Sequence, residues 1–65
     1  MFKNLESEMV KKGLNQTDLA QKIGMKSSTL NTKMTGKGEF RLLDIQKILE
    51  VFNFTLSADY LFCEN

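Results

Sequence analysis

The chain has 65 residues, of which 42% are apolar, with a net charge of +1, no proline, no histidine and a single cysteine. A chain of this length builds one small core, so residues 1–65 are treated as a single domain. The composition excludes a zinc site of Cys and His ligands and an internal disulfide, and without a membrane-length apolar run or a signal sequence we expect a cytoplasmic protein that contacts no membrane.

The first two helices are predicted from apolar spacing and from their ends. Residues 1–12 carry apolar side chains at intervals of three and four, which indicates an amphipathic first helix that Gly13 ends. The second helix has the clearest start, because Asn15 can cap it and Asp18 follows at the spacing of a capping box. Gly24 is expected to end it.

A third helix is predicted over residues 27–35, with Ser27 as its cap, Leu30 and Met34 facing inward and Gly36 at its end. Its outer face consists of small polar side chains, namely Ser27, Ser28, Asn31, Thr32 and Thr35. Serine, threonine and asparagine are mediocre helix formers, so stability alone would favour other residues here. The composition of this face therefore indicates contact with a partner.

A broad apolar stripe predicts a fourth helix that supplies most of the core. The stripe consists of Phe40, Leu42, Leu43, Ile45, Ile48, Leu49 and Phe52. The residues expected on its outer side are Arg41, Asp44, Lys47 and Glu50. Arg41 is a poor N-cap, Asn53 can end the helix in a left-handed conformation, and Ser57 can cap a short fifth helix over residues 58–62.

Four aromatic residues cluster near the end of the chain: Phe52, Phe54, Tyr60 and Phe62. The simplest interpretation is that they form part of the core and its lid. They could instead form the interface of a homodimer, because so small a domain cannot easily bury all of its aromatic side chains. Cys63 is interpreted as an ordinary thiol, although in a dimer it could oxidise across the interface.

The charges are unevenly distributed along the chain. Residues 24–38 contain Lys26, Lys33 and Lys37 and no acidic residue, whereas the segments on either side mix both signs. Each lysine taken alone could be an ordinary solvated side chain. Together they coincide with the polar face of the third helix, and this coincidence favours double-stranded DNA as the partner.

Several motifs carry a resemblance to a known family. They are G-L-N-Q-T-D-L-A-Q-K-I-G at residues 13–24, Leu30, the turn at Gly36 and Lys37, and L-S-A-D-Y-L-F at residues 56–62. With these residues the chain resembles the lambda-repressor-like family (Cro/C1, XRE-type) of helix-turn-helix regulators. The resemblance implies an all-α fold of five compact helices, with helices 2 and 3 forming the helix-turn-helix and helix 3 entering the major groove.

The resemblance also implies, position by position, two groups of DNA contacts. The residues expected at base edges are Lys26, Ser27, Ser28, Asn31 and Thr32. Those expected at the DNA backbone are Gln16, Lys33, Thr35 and Lys37. This division agrees with the general chemistry of such interfaces, in which backbone contacts position the protein and the groove-facing helix reads the bases.

The chain departs from the family pattern in two places. Many members have an aliphatic or aromatic residue three positions after Leu30, where this chain has Lys33, and the apolar residue follows at Met34. We expect this shift to rotate the third helix slightly about its own axis relative to the family pattern. The loop at residues 37–39 is short and lacks arginine, so readout of the minor groove is not expected.

The sequence therefore predicts a transcriptional regulator, specifically a phage or phage-derived repressor that binds as a homodimer and blocks a promoter. The alternative is a protein-interaction module or antitoxin-like partner that uses the same fold. An enzyme is not expected, since the chain has neither histidine nor a glycine-rich phosphate loop. No cofactor, metal or small-molecule ligand is predicted.

Overall fold

The computed structural model describes residues 2–63, and this range contains five α-helices and no strand. The helices are α1 (Lys3–Lys11), α2 (Gln16–Ile23), α3 (Ser27–Met34), α4 (Leu42–Val51) and α5 (Ala58–Leu61). The predicted all-α, five-helix fold is confirmed. None of these helices is both long and apolar enough to cross a membrane.

Every helix contributes one fully buried aliphatic side chain to a common core. These side chains are Leu5, Leu19, Leu30, Ile48 and Leu61, each with 0% of its surface exposed. Helix α2 packs against both α3 and α4, and α1 packs against α5. The second helix is therefore the central support on which the third helix rests.

The predicted start of α2 and end of α4 are both confirmed. The side chain of Asn15 accepts a hydrogen bond from the backbone N–H of Asp18 at 2.8 Å, and a carboxylate oxygen of Asp18 accepts from the N–H of Asn15 at 3.2 Å. Asn53 has a φ of +56° and closes α4 by donating its N–H to the carbonyl of Glu50. Both ends satisfy backbone groups that a helix leaves without partners.

Two other predicted helix boundaries need correction. Helix α1 runs over Lys3–Lys11 rather than residues 1–12, and Met1 lies outside the described residues. Helix α3 ends at Met34, and Ser27 already belongs to its first turn. Ser27 is therefore not the cap, because Lys26 occupies that position and no side chain caps the helix there.

The prediction that Leu42 and Leu43 face the core is wrong. Their exposed fractions are 72% and 60%, while Asp44 is only partly exposed. The stripe of α4 that turns inward instead runs through Asp44, Ile48 and Phe52, which are four residues apart. At about 100° of rotation per residue, both leucines lie more than about 100° away from Ile48 around the helix.

The aromatic residues near the end of the chain are arranged differently from the prediction. Phe52 is buried in the core, Phe54 is 68% exposed, and Phe62 packs edge-on against Phe2 and Phe40 instead. The ring centroids of Phe40 and Phe62 are 4.9 Å apart, and those of Phe2 and Phe40 are 5.3 Å apart. This contact ties both ends of the described chain to the segment before α4, a long-range arrangement that local sequence spacing does not reveal.

Helices α1 and α5 are also joined by hydrogen bonds. The Tyr60 hydroxyl donates to the Glu8 carboxylate at 2.9 Å, and the side chain of Asn4 donates to the carbonyl of Tyr60 at 2.8 Å. The Tyr60 hydrogen bond, assisted by Lys11, holds the pKa of Glu8 below its usual value of 4.5. The same hydrogen bond raises the pKa of Tyr60, whose neutral form is the donor.

Replacing Tyr60 by phenylalanine is expected to raise the pKa of Glu8 towards 4.5, because the carboxylate loses its main hydrogen-bond donor. The pKa is measured from the carboxyl carbon shift of Glu8 in an NMR titration. Lys11→Met serves as a second variant and is also expected to raise the pKa, because the carboxylate loses a hydrogen-bond donor and a nearby positive charge. An unchanged pKa of Glu8 in Tyr60→Phe would contradict the role of the hydroxyl.

Candidate nucleic-acid interface

The turn between α2 and α3 depends on Gly24. This residue has a φ of +71°, a left-handed conformation that is strained for a residue with a Cβ. Its N–H donates to the carbonyl of Gln21 at 3.3 Å, and the next N–H, from Met25, donates to the carbonyl of Ala20 at 2.9 Å. These bonds end α2 and redirect the chain so that α3 begins at Ser27.

Gln16 connects the starts of the two helices. It is the first residue of α2, and its side-chain amide donates to the backbone carbonyl of Ser27, the first residue of α3, at 3.3 Å. Helix N-termini carry partial positive charge and unpaired N–H groups, which suit the phosphates of a nucleic acid. Gln16 thus lies beside two helix starts, and within residues 2–63 its carbonyl oxygen and one N–H have no partner.

The two sides of α3 are clearly separated. Leu30 and Met34 are buried, as predicted. The exposed residues of the helix and its C-cap are Ser27, Ser28, Thr29, Asn31, Thr32 and Thr35. The sequence interpretation missed Thr29, although its position about 100° from Leu30 on a helical wheel already directs it away from the core. The exposed side of α3 is therefore entirely polar and uncharged.

The two threonines in the C-terminal half of this face bond back to the helix itself. The Thr32 hydroxyl donates to the carbonyl of Ser28 at 3.0 Å, and the Thr35 hydroxyl donates to the carbonyl of Asn31 at 2.9 Å. Each hydroxyl can still accept a hydrogen bond, but its proton is in use. The side chains of Ser28 and Asn31 make no hydrogen bond within residues 2–63, so they offer donors as well as acceptors.

Two exposed lysines flank this polar face. Lys26 precedes the first residue of α3, and Lys37 follows its C-terminal turn, where the Lys37 N–H donates to the carbonyl of Thr32 at 3.0 Å. Neither ammonium forms an ion pair within the part of the chain that the structure describes. The exposed face of α3 thus has one available positive charge near each end.

Lys33 is arranged differently from the other two lysines. Its ammonium lies 2.6 Å from a carboxylate oxygen of Asp44 on α4, and only 16% and 15% of the two side chains are exposed. The same oxygen accepts a hydrogen bond from the backbone N–H of Arg41 at 3.0 Å. The structure therefore directs the Lys33 ammonium towards the body of the domain, whereas the sequence interpretation placed it at the DNA backbone.

Asp44 was assigned to the outer side of α4 from the sequence, and its partner was missed. Burial by itself raises its pKa, but hydrogen bonds from Lys33 and from the N–H of Arg41 outweigh this effect and hold the pKa below 3.8. One signal was available: Asp44 stands three residues after Arg41, the spacing at which an acidic residue supports a helix start. Its pairing with α3 required the tertiary structure.

Comparison with known families agrees with this geometry. A family model described as helix-turn-helix matches residues 5–58. The chain belongs to the Cro/C1-type helix-turn-helix family, also called the XRE family. No curated protein and no solved structure matches the chain.

The matched region runs from Leu5 in α1 to Ala58, the first residue of α5, and so includes the whole interface described above. Family membership supports the assignment of this helix-turn-helix protein as a DNA-binding regulator. Helix α3 has 8 residues, and an α-helix with its side chains is about 10–12 Å across, which matches the width of about 12 Å of the DNA major groove.

Proposed function

We propose that this helix-turn-helix protein is a sequence-specific repressor, of phage or phage-derived origin, that acts in the cytoplasm by occupying a promoter. The observation that carries the proposal is the exposed face of α3. This face is wholly polar, contains no acidic residue and has Lys26 and Lys37 at its two ends. If this helix occupies the major groove within a promoter, the protein competes with polymerase for the same DNA, so steric exclusion is sufficient for the proposed repression.

The proposed contacts fall into two groups. The residues at base edges are Lys26, Ser27, Ser28, Asn31 and Thr32, and those at the DNA backbone are Gln16, Thr35 and Lys37. Gln16 is supported by its place beside the two helix starts. Thr35 must turn its hydroxyl away from Asn31 before it can donate to a phosphate, so its contribution is expected to be small.

We further propose that the protein binds DNA as a homodimer. A single module of this size covers few base pairs, whereas a two-fold dimer reaches half-sites about 34 Å apart. The exposed side chain of Phe54 supports this proposal, because 68% of its surface is left uncovered by the core. Its φ of +56° is unusual for a bulky residue, and strained positions of this kind often occur at functional surfaces.

The experiment that tests the function is selection of bound duplexes from a random pool. Enrichment of a two-fold symmetric sequence is the expected result and would support both DNA binding and the dimer. An asymmetric consensus would support sequence-specific binding and contradict the symmetric dimer. No enrichment at low salt would contradict sequence-specific recognition and favour a protein-interaction module.

Affinity for the selected duplex is expected to fall steeply with salt. If Lys26 in the groove and Lys37 at the backbone each offset the charge of one phosphate in both subunits, the plot of log K against log salt has a slope of about −4. Three lysines per subunit, as the sequence suggested, give about −5 by the same rule. Fluorescence anisotropy between low and moderate salt measures the slope, and an affinity that does not change with salt would contradict the DNA interface.

A further inference from the structure

The ion pair between Lys33 and Asp44 joins the helix proposed to read DNA to the helix that follows it. Its nitrogen–oxygen distance is 2.6 Å, and about five-sixths of each side chain is covered. Among residues 2–63 it is the only ion pair or side-chain hydrogen bond between α3 and α4. The Asp44 carboxylate is itself held in place by the backbone N–H of Arg41.

A polar link at this position can control the rotation of α3. The helix is held from one side by Leu30 and Met34, and apolar burial has little directional preference. A hydrogen-bonded ion pair does have a preferred direction. Lys33 follows Thr32 directly in the helix, so any rotation that moves Lys33 also moves the residues proposed to face the bases.

The same geometry argues against Lys33 as a ligand of DNA phosphate. Lys26 and Lys37 are exposed, whereas Lys33 is largely covered and its charge is compensated by Asp44. To reach a phosphate, Lys33 would have to leave Asp44 without its partner, and a poorly solvated carboxylate without its partner is unfavourable. That carboxylate would also lie close to the negatively charged DNA.

We propose that Lys33 and Asp44 form a positioning pair, which fixes the rotation of α3 and thereby determines sequence preference, and that Lys33 does not itself contact DNA. This inference rests on the proposed function, since it concerns how the same interface recognises its target. It assigns Lys33 a role different from that of Lys26 and Lys37, although all three belong to the same acid-free segment.

The test is a double-mutant cycle with Lys33→Met, Asp44→Asn and the combined variant, all confirmed as folded by circular dichroism. Affinity is measured for the selected duplex and for an unrelated duplex. Each single change is expected to lower the ratio of the two affinities about tenfold, with the combined change no worse than either one. The salt slope is expected to stay at the wild-type value.

Three further variants serve as controls. Lys37→Met removes an exposed lysine and is expected to weaken binding to both duplexes equally and to make the salt slope shallower. Lys33→Arg and Asp44→Glu keep both charges and are expected to retain most of the affinity ratio. A purely destabilising effect would lower the melting temperature of Lys33→Met without changing the ratio, and this result would overturn the inference.

A second measurement follows the ion pair in the wild-type protein, with Lys33→Met as the reference for an unpaired Asp44. The carboxyl carbon shift of Asp44 in the wild-type protein is compared by NMR before and after addition of the selected duplex. An unchanged shift means that the pair persists on DNA and supports the positioning role. A shift to the value seen in Lys33→Met would show that Lys33 leaves Asp44 for the DNA.

The inference and the proposed function fail in different ways. If Lys33→Met behaves like Lys37→Met, and Asp44→Asn leaves the affinity ratio unchanged, Lys33 is a phosphate ligand and the positioning role is wrong. In that case sequence-specific DNA binding still stands. If the wild-type protein selects no duplex, the proposed function is wrong and the positioning role is overturned with it.

Discussion

Replacing Leu30 by alanine is expected to remove most of the stability of the domain. Leu30 is the side chain of α3 that is fully buried, with 0% of its surface exposed. Such a truncation removes about 2–5 kcal/mol of stability, because apolar contacts are lost and a cavity remains. A domain of this size has about 3–5 kcal/mol in total, so the loss is a large fraction of its stability.

Leu42→Ala is the matched control for this change. The same atoms are removed, but from a side chain that is 72% exposed. The free energy of unfolding is expected to change by less than about 0.5 kcal/mol. Urea unfolding followed by circular dichroism measures both variants, and equal losses of stability would show that the burial of Leu30 is not what holds α3 in place.

Replacing Thr32 by alanine is expected to change which DNA sequences are preferred. Its hydroxyl proton is used by the carbonyl of Ser28, so in the proposed interface Thr32 presents an acceptor and a methyl group to the bases. Loss of the acceptor should weaken binding to the best sequence by about 1–2 kcal/mol, with a smaller effect on unrelated duplexes. Repeating the random-pool selection with the variant measures the change.

Two other variants serve as controls for this prediction. Thr32→Ser keeps the hydroxyl and is expected to retain more of the wild-type preference, apart from contacts made by the methyl group. Lys37→Ala removes a charge and is expected to weaken all sequences alike, with a shallower salt slope. If Thr32→Ala and Lys37→Ala altered the preferred sequence equally, the proposed division between base and backbone contacts would be wrong.

Local sequence rules were enough to predict several helix ends. The capping pair of Asn15 and Asp18 lies within one turn of helix, and the left-handed positions at Gly24 and Asn53 are favoured by the residues themselves. The inward side of α3 followed from the spacing of Leu30 and Met34. These features depend on neighbouring residues, so the spacing of side chains along the chain contains the necessary information.

The inward side of α4 could not be predicted in the same way. Its apolar residues surround most of the helix, so several rotations bury similar numbers of them. The structure selects the stripe through Ile48 and Phe52, which leaves Leu42 and Leu43 exposed and brings Asp44 towards α3. The choice depends on the shape of the neighbouring helices, and no local pattern encodes that shape.

The sequence by itself determined the helical class, the helix-turn-helix and the polar, acid-free surface of the third helix, because each follows from residues close together in the chain. The tertiary structure alone decided which lysines of that surface are available. Lys33 belongs to the same basic segment as Lys26 and Lys37, but it meets Asp44 across a gap of 11 residues. The physical reason is that an ion pair forms where folding brings two opposite charges together. Whether Lys33 and Asp44 come together depends on how α3 and α4 pack around α2.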